Sequence, residues 1–125
     1  MPEEKREAVR AFLRAFKKVA HERGIYFIPR KGFTETLAWL GYTKTNCRDE
    51  ILGLTVDDYC KGPEPDRDMP GEVWVFGMNM SGSNIYIKLK LTKAGSQTIA
   101  KCVSFHPAKH NLRFPLRDEG EGEKK

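Results

Sequence analysis

The chain predicts an α+β fold. One long amphipathic pattern opens it, three short alternating apolar runs bounded by Gly, Ser and Asn fill its second half, and brief helical patterns lie between them. Helix-period and strand-period segments that are segregated along a chain, rather than alternated, suit an antiparallel sheet covered on one face by helices. With 125 residues the chain can bury a real core within one domain, expected over residues 1–117, followed by a tail at 118–125.

Composition narrows the functional classes. The 31% charged residues carry a net charge of +5, which favours a polyanionic partner without specifying one. Cys47, Cys60 and Cys102 are odd in number and lack a Cys-x-x-Cys pair, so neither a disulfide framework nor a zinc knuckle is indicated. No apolar run approaches the roughly 18 residues of a membrane span, and the N-terminus is charged where a signal peptide would be apolar. A cytoplasmic protein with no membrane association is expected.

Taken in order, Pro2 to Arg23 repeats Val9, Phe12, Leu13, Phe16, Val19 and Ala20 at three- and four-residue spacing, which predicts a helix ended by Gly24. Its basic residues, Arg6, Arg10, Arg14, Lys17 and Lys18, suit a solvated helix face better than an RNA contact. Ile25 to Ile28 predicts a short strand stopped by Pro29. Two short helices follow. One is capped by Thr34, buries Leu37 and Leu40 and stops at Gly41; the other starts at Asn46 and buries Ile51 and Leu52.

Two short helices around a Gly-containing turn also describe a helix-turn-helix. Asp49 and Glu50 on the would-be recognition helix argue against its insertion into a major groove, where they would face phosphates and base edges. Thr55 with Asp58 three residues on predicts another capped turn, leading into a Pro- and Gly-rich surface loop from Cys60 to Gly71 that carries Lys61.

The stretch from Gly71 to His106 predicts three consecutive antiparallel strands. Ile85, Ile87, Leu89 and Leu91 share one face of the middle strand; Tyr86, Lys88, Lys90 and Thr92 share the other. Pairing Leu91 with Ile99, Leu89 with Lys101, Ile87 with Val103 and Ile85 with Phe105 keeps most apolar residues together, with Lys101 the misfit. Ser104 then faces Tyr86, with His106 one diagonal step away. Beyond Pro107, Leu112, Phe114 and Leu116 alternate in a short edge strand or docked segment, and the run after Arg117 has no apolar residue and reads as disordered.

Cys102, His106 and His110 recur every four residues, but Pro107 and the strand pattern oppose the helix that would align them as metal ligands, so no metal or other cofactor is expected. Cys102 and His106, with the same strand facing, are too far apart for a nucleophile pair. What remains is a cationic surface of Lys61, Tyr86, Lys88, Lys90, His106 and Arg113. Metal-free RNA cleavage needs a base for the ribose 2′-hydroxyl, positive charge on the phosphorane and an acid for the 5′-oxygen, and these residue types supply all three. The same pattern also describes the wet side of an ordinary sheet.

A resemblance adds to this reading. Ile51-Leu-Gly-Leu-Thr-Val-Asp-Asp-Tyr-Cys-Lys61, then Glu72-Val-Trp-Val-Phe-Gly, Ile85-Tyr-Ile-Lys-Leu-Lys-Leu and Cys102-Val-Ser-Phe-His106, resembles the MqsR family of type II toxins, over about Ile51 to Pro107. The resemblance implies a RelE-like α+β fold, mRNA endoribonuclease activity and a cognate antitoxin encoded nearby. It matches Lys61 to a functional lysine and Tyr86 to the active-site tyrosine. His106 stands where the best-known member has lysine. Lys61, Tyr86 and His106 are therefore the expected catalytic residues, and Lys88, Lys90 and Arg113 the expected RNA-binding residues. The alternative from another class is a non-catalytic nucleic-acid-binding or transcription-regulating module using the basic helices.

Overall fold

The computed structural model describes residues 2–117; the expected tail, 118–125, lies outside the described residues. Three helices, α1 (Pro2–Arg23), α2 (Lys31–Leu40) and α3 (Lys44–Leu52), accompany one five-stranded mixed sheet. Its strands are β1 (Ile25–Phe27), β2 (Tyr59–Pro65), β3 (Glu72–Met80), β4 (Ser83–Ala94) and β5 (Gln97–Pro107), arranged β1-β5-β4-β3-β2. The fold is α+β, as expected, and two further strands flank the three expected at the centre of the sheet.

The short strand expected from Ile25 forms as β1 and pairs in parallel with β5, setting Tyr26 beside Lys101, whose ammonium lies 5.9 Å from the tyrosine ring centroid. The segment expected as a loop from Cys60 is instead β2 as far as Pro65. It is an edge strand with two register irregularities, where prolines are tolerated because fewer amide donors are needed. Lys61 consequently stands on a strand, opposite Val75. Of the two expectations for Leu112–Leu116, an edge strand or a docked segment, the docked segment is found: it packs against the sheet at Gly77 without pairing.

The apolar face is built as its spacing requires. Val9, Phe12, Leu13, Phe16 and Ala20 of α1 are buried against Phe76, Ile85, Ile87, Leu89 and Phe105. Phe12 stacks on Trp74 at 4.7 Å between ring centroids. Arg10 pairs with Glu7 and Lys18 with Glu22, while Arg14 is exposed, so much of the helix's charge lies on a solvated face.

Helix starts differ from expectation. Thr34 lies inside α2, which begins after Arg30, and its buried residues are Phe33 and Thr36, with Leu37 and Leu40 partly buried. The α3 cap is Thr43 rather than Asn46: the two exchange side-chain-to-backbone hydrogen bonds, and Cys47 and Ile51 are buried below. Reciprocal capping shifts the helix start three residues before the amide side chain that signals it. Thr55 and Asp58 do form the expected capped turn over Val56–Asp58.

The β4–β5 register differs in an instructive way. A bulge leaves Val103 unpaired: Lys88 faces Ser104, while Leu89 faces Cys102 and Lys90 faces Lys101. The Lys101 misfit is removed on the turn side, where Leu91 faces Ala100 rather than Ile99, so Ala100 and Cys102 turn into the core and Lys101 turns away; the bulge then returns Phe105 to the core opposite Ile87. The turn-side offset and the bulge together displace the far end by two residues, so Tyr86 sits directly opposite His106 instead of diagonal to it.

Candidate functional site

Opposite the α1-packed face, strand alternation aligns two rows of side chains. One row runs Lys61, Val75, Lys88, Ser104; the next runs Gly77, Tyr86, His106. The 108–114 segment rises beside them, and Gly77 lets it come close. A Cβ at that position would lie 2.5 Å from Leu112 Cδ1 and 3.1 Å from the Phe114 ring. Between sheet and segment opens a concavity of about 500 Å³ floored by Lys61, Tyr86, Lys88 and His106, with Lys109 and Arg113 on its wall.

The imidazole of His106 and the phenol ring of Tyr86 stack with centroids 5.1 Å apart and planes 13° apart. His106 Nδ1 lies 2.9 Å from the Pro107 carbonyl oxygen. A carbonyl only accepts, so Nδ1 carries the proton in this contact, and Nε2 of the neutral ring is left with a free lone pair. The bulge and Pro107 thus place and orient a potential proton acceptor. Burial, reinforced by the nearby Glu64 carboxylate, raises the Tyr86 phenol above its ordinary range and keeps it protonated through neutral pH. Lys88 Nζ lies 5.8 Å from the Tyr86 ring centroid. Lys61, with a side chain 56% exposed, lies 3.6 Å from Glu64 and keeps free donors toward solvent.

Five of the six expected residues line this concavity; Lys90 does not. It shares strand parity with Tyr86 and Lys88, yet it is only 3% exposed. Its ammonium donates to Asp66 at 2.6 Å and to the Pro70 carbonyl at 2.7 Å. The 66–71 loop folds over that end of the sheet, so Lys90 is a loop anchor and not an RNA-facing cation. Asp66, hydrogen-bonded by Lys90 and by the Asp68 amide, is held down to about 2.

Cys102 also differs. It faces the core opposite Leu89, the bulge after it sets His106 on the other face, and burial pushes its thiol up. Cys60 does line the concavity, but burial raises its thiol to about 11, leaving no thiolate at neutral pH. Among the described residues no three His, Cys, Asp or Glu side chains cluster as metal ligands. No helix of the described residues is long and apolar enough to cross a membrane.

Residue patterns place Ser104 on this face without assigning it a role, and they miss Lys109 and Glu64. Ser104 and Lys109 line the concavity, while Glu64 acts on both Lys61 and Tyr86. Glu64 was hidden by the expectation of a loop. Lys109 follows the last strand, where no periodicity predicts facing. No protein-family model, curated protein or solved structure matches this chain.

Proposed function

We propose that this chain is an endoribonuclease that cleaves mRNA by attack of the ribose 2′-hydroxyl on the adjacent phosphate, acting as the toxin of a type II toxin–antitoxin pair on a RelE-like fold. The observation that carries the reading is the stacked Tyr86–His106 pair, with the free Nε2 of His106 at the edge of a concavity bearing Lys61, Lys88, Lys109 and Arg113. The resemblance of the Ile51–Pro107 stretch to MqsR toxins points the same way and supplies the toxin and antitoxin part of the proposal.

In this reading His106 Nε2 takes the 2′-hydroxyl proton as the O2′–P bond forms. The lysines stabilise the negative charge that builds on the phosphorane oxygens. The P–O5′ bond then breaks, and the Tyr86 hydroxyl, kept protonated by its environment, gives its proton to the leaving oxygen. The products are a 2′,3′-cyclic phosphate and a 5′-hydroxyl. Proton transfer from the imidazolium back to the phenolate restores the pair.

Incubating the purified protein with a long unstructured RNA in EDTA tests the proposal. Cleavage is expected. Retention of RNA without cleavage would instead support a nucleic-acid-binding or transcription-regulating module.

A further inference from the structure

A second concavity, about 440 Å³, begins at His106 and leads away from the sheet along α2 to Trp39. Gly32, Glu35, Thr36 and Trp39 recur at three- and four-residue spacing and so share one stripe of the helix. Gly32 brings that stripe against the strand end: a Cβ there would lie 4.0 Å from His106 Cβ. Phe33 and Thr36 are buried, whereas Trp39 leaves 54% of its surface in solvent. Packing of the α2 core face therefore does not account for the indole.

His106 and Lys109 line both concavities, which therefore meet at these two side chains. We propose that the path from His106 to Trp39 is a nucleobase subsite, in which the indole stacks on a base adjacent to the scissile phosphate. This rests on the endoribonuclease reading of the His106 site. The occupant follows from continuity and charge. A strand placed with its ribose at His106 sends a neighbouring nucleotide past Lys109, which suits a phosphate, toward an exposed aromatic face, which suits any base. Glu35 on the same wall is 3.8 Å from Lys31, so its charge is partly offset.

The chain has two tryptophans, and the other, Trp74, is partly buried and stacked on Phe12 on the α1 side of the sheet, which makes the indole of Trp39 a separable probe. Titration with a 2′-O-methyl RNA oligomer, which cannot be cleaved, is expected to quench fluorescence in the parent protein and not in Trp39→Phe. Trp39→Ala is expected to lower kcat/KM on RNA by about 5- to 150-fold, the usual worth of one stacked base. Trp39→Phe should retain most of the activity, and both variants should unfold at the parental temperature. An abasic nucleotide beside the cut should reproduce the loss in the parent and add nothing in Trp39→Ala. Parental kcat/KM in Trp39→Ala, or RNA binding without quenching, overturns the subsite while leaving the endoribonuclease reading intact. If the parent cleaves no RNA, that reading fails, and the quenching titration still decides the subsite: quenching supports it and its absence overturns it.

Discussion

Lys88 and Lys90 stand two residues apart on β4 and share strand parity, yet they belong to different structures. Lys88 opens into a concavity beside Tyr86 and faces Ser104 across the sheet. Lys90 is sealed beneath the 66–71 loop by Asp66 and the Pro70 carbonyl. Alternation assigns a side chain to a face of a sheet, and what covers that face decides whether the side chain binds a ligand or holds the protein together. The open end of this face is the concavity to which the proposed cleavage is assigned; the closed end is an ion pair whose loss leaves a charge without its partner.

The largest effect that sharpens this contrast is expected at the open end. His106→Gln should cut the RNA cleavage rate by about 10²–10⁴-fold, the usual contribution of general acid–base catalysis, with RNA affinity within a few-fold of the parent. A parental rate would make His106 a structural residue and break the distinction between the two ends.

At the closed end the expected losses are in stability. Lys90→Gln should cost about 3 kcal/mol by leaving Asp66 without its ion-pair partner, whereas Lys88→Gln should stay within about 0.5 kcal/mol, both measured by denaturant unfolding. Equal costs would erase the contrast. The pH dependence follows from Asp66. Its carboxyl is held below its unfolded value, so its contribution is fully present above the ordinary carboxylate range and is lost as pH falls toward about 2. Asp66→Asn should therefore be destabilised at neutral pH and lose that part of the parent's decline in acid. An unchanged acid profile would remove Asp66 from the account.

The smallest effect concerns RNA phosphate contacts. Lys88→Gln should flatten the salt dependence of RNA binding by about 0.7 in log–log slope, the value for one contact to a single strand. Lys90→Gln should leave the slope unchanged where the variant is folded. A loss of slope in Lys90→Gln would place RNA over the 66–71 loop.

How far this arrangement was legible varies with the interaction involved. The α1 core stripe, the Gly24 and Gly41 stops, the Thr55 cap and the two faces of β4 rest on short-range periodicity and capping, and all are present. Local pattern could not reveal the bulge at Val103, because it is what lets both Cys102 and Phe105 reach the core, opposite Leu89 and Ile87 across the sheet. β2 was obscured because its prolines carry loop chemistry although they occupy an edge strand. Strand parity alone misplaces Lys90, because its cover comes from Asp66 and Pro70, at least twenty residues away. Lys61, Tyr86, Lys88, His106 and Arg113 were nonetheless brought to one concavity, since strand parity and the docked segment after Pro107 act together.

The proposed function turns on one chemical event, attack of a ribose 2′-hydroxyl on the adjacent phosphate with His106 taking its proton. Once a cut position has been mapped in a short RNA, replacing only the ribose 5′ to that phosphate with deoxyribose isolates the nucleophile. The predicted result is that the intact RNA yields a 2′,3′-cyclic phosphate and a 5′-hydroxyl in EDTA, while the deoxy substrate binds equally well and is not cut. Cleavage of the deoxy substrate at the parental rate, or products ending in a 5′-phosphate, would contradict it.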